Sequence, residues 1–177
     1  MAEFNPSYEK VLSHEGGYVH DPDDPGGETY KGVARKMHSK WDGWPIVDIL
    51  KKQSGFPANL DKNADLQEKI KTFYRSLFWD KIKGDDIQDQ DVAMSIFDFA
   101  VNAGTATSAT LAQVVVAAKK DGVIGPKTLE KLNSFDPEHF LAAFTVAKIA
   151  RYISIVKKRP SSRKYFYGWV RRALNDI

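Results

Sequence analysis

A chain of 177 residues with 42% hydrophobic and 28% charged content is long enough to bury a true core and ordinary for a globular protein. It has no cysteine, which excludes a disulfide framework and any thiolate metal site, and its four histidines stand at no metal-ligand spacing. The net charge of +3 is unevenly placed: between His139 and Asn175 there is no acidic residue, against Lys148, Arg151, Lys157, Lys158, Arg159, Arg163, Lys164, Arg171 and Arg172. Such a face attracts a polyanion, or else is a solvated helical surface that aids solubility.

In chain order, Asn5-Pro6 reads as an N-cap followed by the first helical position, and opens a helix over about 6–15. Tyr8, Val11, Leu12 and Glu15 share one face of it, so Glu15 continues an apolar stripe, and Gly16-Gly17 ends the helix. Partial burial and the negative end of the helix dipole should both raise the pKa of that carboxyl, which suits a general acid. The alternative is a solvated glutamate in a last turn. Residues 21–27 hold two prolines, two glycines and three aspartates and must be a turn. They imitate a calcium loop only faintly, since its twelfth position is Gly32 and not Glu. His14-Glu15 lacks the second histidine of a zinc-protease helix. A small β-element is expected near residues 28–34.

The rest of the pattern is helical, with helices at about 45–52, 64–79, 90–103, 106–119, 126–133, 137–157 and 164–174. Leu66, Ile70, Phe73 and Leu77 mark one amphipathic stripe. The segment from Asp91 to Ala103 is apolar on nearly every side and should be a buried central helix. Asp136-Pro137-Glu138 is a helix start, and Phe166, Trp169, Val170 and Leu174 form the last core stripe. No window approaches the length of a membrane span, and no basic-then-apolar N-terminal stretch suggests a signal peptide.

An acidic residue with an Asp about nine positions on and a Thr five or six beyond resembles the phage-lysozyme active-site pattern, here Glu15, Asp24 and Thr29. The fuller run EGGYVHDPDDPGGETYKGV resembles more closely the opening motif of glycoside hydrolase family 108, the bacterial and phage N-acetylmuramidases, some labelled secretion activators. That resemblance implies that Glu15 is the catalytic acid. It matches also at Asp24, Gly26, Gly27 and Thr29, whereas Tyr30-Lys31 stand where the family often has Asn-Phe. The segment from Tyr74 to Asp80 is similar to the family's Tyr/Trp helix. Phe97–Gly104, Asp121–Leu129 and Gly168–Arg172 resemble a C-terminal module described as peptidoglycan-binding.

The expected fold is mainly α, a lysozyme-like α+β helical bundle with the small β-element. Residues 1–90 are its catalytic part and 91–177 its peptidoglycan-binding part, packed as one bilobed domain. The expected function is a peptidoglycan hydrolase of the lysozyme or N-acetylmuramidase type, acting without cofactor or metal. Glu15 protonates the glycosidic oxygen, and Asp24 or Thr29 positions water. Asp24 is otherwise a turn-former, in competition with Asp21 and Asp23, and Thr29 a β-branched strand residue. Tyr18, Tyr30 and Trp79 are candidates for stacking on sugars, though aromatics are more often core. Asn102 could hydrogen-bond an N-acetyl group, or serve as a helix C-cap. The same acid would serve a lytic transglycosylase. A different class is a non-catalytic wall-binding or secretion-assisting protein, and a third is a nucleic-acid binder, for which no motif accompanies the charge. The expected partners are peptidoglycan strands and, through the basic face, the anionic envelope. The chain is expected to be a monomer, made in the cytoplasm and reaching the wall by a holin-type or dedicated route.

Overall fold

The computed structural model describes residues 1–21 and 26–174. Asp24 and its competitor Asp23, both weighed for the catalytic turn, lie outside the described residues. The chain divides into two compact units, one of Tyr8–Leu77 and one of Met1–Ser7 with the chain from Phe78 onward. The sequence had suggested a division at 90/91. The first residues join the larger unit because Phe4, 4% exposed, packs its ring 5.6 Å from Trp79 and 5.9 Å from Phe97.

The smaller unit holds most of helix α1 (Phe4–His14), strands β1 (Tyr18–His20), β2 (Glu28–Tyr30) and β3 (Val33–Ala34), and helices α2 (Trp44–Leu50) and α3 (Ala64–Tyr74). The strands form one antiparallel sheet in the order β1-β2-β3. Tyr18 pairs with Tyr30, Val19 with Thr29 and His20 with Glu28, while Thr29 pairs with Ala34 across the next ladder. Lys31-Gly32 closes the β2–β3 hairpin with both φ angles positive, 43° and 78°, the conformation a two-residue primed turn demands. α3 starts on Asn63, whose side chain accepts from the Leu66 N–H. It buries Leu66, Ile70, Phe73 and Tyr74, and Val33, Trp44, Val47 and Leu60 are buried in the same unit.

Helix α1 begins at Phe4, two residues before the expected N1 proline. Pro6 is tolerated there because the first-turn N–H groups have no intrahelical partner in any case. After α3 the chain does not continue as α-helix to residue 79: Arg75–Trp79 is a π turn. The wider turn slips the register, so Leu77, expected in the stripe, is 38% exposed while Trp79 is fully buried.

The larger unit is built of α4 (Gln90–Ala103), α5 (Thr105–Val115), α6 (Pro126–Ser134), α7 (Pro137–Lys158) and α8 (Arg163–Leu174). α4 is capped by Asp89 and buries Val92, Ala93, Ser95, Ile96, Phe97, Phe99 and Ala100, as a central helix should. α5 and α7 pack on it and on each other, and α8 packs on α7. α8 is tied to α4 by a bidentate Arg172–Asp98 pair with contacts of 2.7 and 3.2 Å. Of the last core stripe, Phe166, Trp169 and Val170 are half-buried, Ala173 is the fully buried member, and Leu174 is 46% exposed.

Two sequence expectations need correction here. By length and composition alone α7 passes for a membrane span. One side of it packs on the unit's other helices and buries Phe140, Phe144, Thr145, Lys148 and Tyr152. Lys148, counted among the basic face, is 2% exposed. Its ammonium donates to Ser95 Oγ at 2.9 Å and lies 4.5 Å from the Phe144 ring centroid.

Candidate active site

The motif around Glu15 lies wholly in the smaller unit. α1 stops at His14, and the Glu15 N–H turns back to Leu12 O at 3.1 Å, so Glu15 sits one residue beyond the helix. Glu15 is half-buried, and its carboxyl lies over the β2–β3 turn. A Cβ placed on Gly32 would come within 3.0 Å of Glu15 Oε2 and would collide with the Tyr74 hydroxyl. Tyr74, 2% exposed, donates from that hydroxyl to Lys31 O at 2.9 Å, and the Lys31 N–H reaches Gly17 O at 3.3 Å. The end of α1, the hairpin turn and the end of α3 therefore converge on one carboxylate, and a glycine makes the room.

A polar network underlies the hairpin. Tyr30 donates to Asp61 at 2.9 Å and accepts from Gln67 at 3.0 Å. Lys31 donates to Gln67 at 2.7 Å and pairs with Asp61 at 2.9 Å. Burial pushes the Tyr30 phenol up. The Lys31 hydrogen bond holds Asp61 below its ordinary value against the opposing effect of burial. Burial likewise raises Tyr8, to about 12, with Glu68 adding to the effect; its ring meets Tyr74 edge-on at 5.8 Å.

A second network ties the sheet to α2. Glu28 is 8% exposed. It accepts from Tyr18 at 2.7 Å and Lys51 at 2.8 Å and pairs with Arg35 Nε at 2.8 Å. Burial alone would raise its carboxyl, but hydrogen bonds from Lys51 and Tyr18 and the Arg35 charge outweigh it and hold the group low. Arg35 also forks onto Asp48 at 2.7 and 3.2 Å and stacks 4.4 Å from the Trp44 ring centroid.

The sequence-predicted residues fall into distinct settings. Tyr18 is half-buried, with its ring edge-on to Phe56 at 4.7 Å. Thr29 is half-buried and donates to Gly27 O at 3.4 Å. Since successive strand residues alternate, Thr29 faces away from Glu28, from Tyr30 and from Tyr30's cross-strand partner Tyr18. Tyr30 is 1% exposed and has no free ring face for a sugar. Trp79 belongs to the larger unit, is 0% exposed, and donates from its indole to Asp85 at 2.8 Å. Gly84 lies flat on the Trp79 ring, so this indole is core and not a platform. Asn102 also belongs to the larger unit, where its amide reaches the Tyr152 hydroxyl at 3.5 Å. The cap of α4 is Gly104 and not Asn102. Sequence reasoning missed Tyr74, Gln67 and the Gly32 contact. The only local signal was a Lys-Gly pair between short β-prone runs, which suits a primed hairpin turn. Among the described residues no group of His, Asp and Glu is placed to hold a metal ion.

A helical fold with one small antiparallel sheet, and a carboxylate presented where the first helix ends, defines a lysozyme-like protein. The chain belongs to the glycosyl hydrolase 108 family, whose model matches residues 8–104. Residues 107–174 match a predicted peptidoglycan domain. Among solved structures, that of Brucella abortus SagA is similar to it at 29% identity with a TM-score of 0.72, covering 98% of this chain and 90% of that one. No curated protein matches the sequence. The chain is thus a glycoside hydrolase of the peptidoglycan-degrading kind, with a peptidoglycan-binding part.

Proposed function

We propose that the protein is an N-acetylmuramidase that hydrolyses the β-1,4 bond between N-acetylmuramic acid and N-acetylglucosamine, with Glu15 as its general acid. The observation that carries this reading is the position of Glu15, half-buried beyond the end of α1 with its carboxyl over the Gly32 turn. In the reaction Glu15 gives its proton to the glycosidic oxygen as the bond to the anomeric carbon breaks. Water adds to that carbon, and its proton leaves to a base. Asp24 serves as that base or stabilises the developing positive charge, and the Thr29 hydroxyl orients the water. Tyr18, the most accessible of the three aromatic candidates, contributes a ring edge to the sugar.

Product analysis on purified peptidoglycan tests the reaction. Hydrolysis leaves a reducing end and incorporates one solvent oxygen, so products formed in ¹⁸O-water carry the label. Anhydro ends without label would instead assign a lytic transglycosylase. Neither product from folded protein would leave a wall-binding protein without catalysis.

A further inference from the structure

The larger unit contains a cavity of about 530 Å³ far along the chain from Glu15, between the end of α5 and the start of α6. The Asp121–Val123 loop at its wall is braced by Gln113, which is fully buried. The Gln113 amide donates to Asp121 Oδ1 at 2.8 Å and to Val123 O at 3.0 Å. Its carbonyl accepts from the N–H groups of Asp121 at 3.1 Å and Gly122 at 3.0 Å. One side chain thus braces the whole Asp121–Val123 turn. Gly122 has φ 75°, and a Cβ there would press to 3.3 Å from Ala106 O, so the turn admits no larger residue. A braced loop of this kind is preorganised for binding.

The walls combine two chemistries. Val123, 64% exposed, and Pro126 give an apolar floor. Lys119, Lys127 and Lys131 stand around it. Lys119 is 88% exposed, Lys127 is exposed, and Lys131 is anchored on Ala117 O at 2.6 Å. The one acidic wall residue, Asp121, has a carboxylate oxygen turned into the loop, where Gln113 and the Val123 N–H, at 3.1 Å, donate to it. The other Asp121 oxygen lies 3.9 Å from the Lys119 ammonium, so three cations stand against one anion and the wall keeps a net positive charge. Among the described residues no aromatic side chain lines the cavity. A sugar or a base would want a ring to stack on. Small apolar groups interspersed with carboxylates fit lysines around a valine–proline floor.

We propose that this cavity binds the acidic stem peptide of peptidoglycan, with its carboxylates on Lys119, Lys127 and Lys131 and its alanine methyl groups on Val123 and Pro126. The proposal rests on the reading of the protein as a peptidoglycan hydrolase and names which part of the polymer the second half of the chain grips. It makes the larger unit a reader of peptide and the smaller unit the one that acts on glycan.

The test is a titration of the full-length, isotope-labelled protein, followed by amide NMR. The ligands are a synthetic stem tetrapeptide with free carboxylates and, separately, an N-acetylglucosamine oligomer without peptide. The tetrapeptide should saturate and shift the amides of residues 119–131. The exposed double variant Lys119→Ala/Lys127→Ala should weaken it about five- to tenfold, as the loss of two exposed ion pairs would. Saturable binding of the oligomer at these amides, binding of inorganic phosphate as tight as that of the peptide, or no tetrapeptide shifts at millimolar concentration would each overturn the proposal. Glu15→Gln separates the two readings. If tetrapeptide binding is absent while reducing ends are released, the peptide site alone fails. If binding persists in both proteins and neither releases reducing ends, the catalytic reading alone fails.

Discussion

Gly32→Ala should damage the site out of proportion to one methyl group. Gly32 has φ 78°, where an alanine costs roughly 1–2 kcal/mol. The new Cβ would also lie on the Tyr74 hydroxyl and 3.0 Å from Glu15 Oε2. Displacing that hydroxyl loses its 2.9 Å bond to Lys31 O, worth about 0.5–1.5 kcal/mol. The sum is a destabilisation of roughly 1.5–3.5 kcal/mol, readable in a urea unfolding curve. The carboxyl must move as well, and a shift approaching an ångström costs on the order of a hundredfold in turnover. Gly17→Ala is the control, because its Cβ would meet nothing within 4 Å and its φ is not in the left-handed region. Tyr74→Phe opens space beside Gly32, so the double variant Gly32→Ala/Tyr74→Phe should be more stable than the two single effects summed, by about 1 kcal/mol. The reasoning is refuted if Gly32→Ala unfolds and turns over like Gly17→Ala, or if the two substitutions simply add.

Glu28→Gln should destabilise the smaller unit by about 2–3 kcal/mol, at the low end for a broken buried pair because its partners are partly exposed; chemical denaturation measures it. Glu28 and Asp61 are both held below their ordinary values. Their contribution is therefore complete above the ordinary carboxylate range and is lost as pH falls through the lowered folded values. Glu28→Gln should flatten the acid limb of a stability–pH curve, and an unchanged limb would contradict the assignment. Gln113→Ala should cost about 3 kcal/mol or more through the stranded Asp121 and Gly122 N–H groups and Val123 carbonyl, with hydrogen exchange at residues 121–123 accelerating first.

The helices were legible because their signals are local. The Asp136-Pro137-Glu138 start and the unbroken apolar run of α4 each announce a helix without reference to the rest of the chain. The sheet was legible only in part. β1 is three residues long and mostly exposed, too short for a period-two pattern to register, and its partner strand begins only at Glu28. The π turn was invisible because it changes register without changing composition. The same division holds at the site. Gly16-Gly17 correctly marked Glu15 as standing at a helix end. That its carboxyl and the Tyr74 hydroxyl both lie against Gly32 depends on chain segments that only the fold brings together. Tyr30 and Trp79 looked like sugar platforms because an aromatic side chain does not declare in sequence which way it faces; both are buried.

The most direct test of the central claim compares wild type with Glu15→Gln, an isosteric change, for release of new reducing ends from purified peptidoglycan, with circular dichroism confirming that both are folded. The account predicts steady release by wild type and a loss of several orders of magnitude in the variant, since a glutamine cannot deliver the proton. A folded Glu15→Gln protein that releases reducing ends at the wild-type rate would contradict it and move the acid elsewhere.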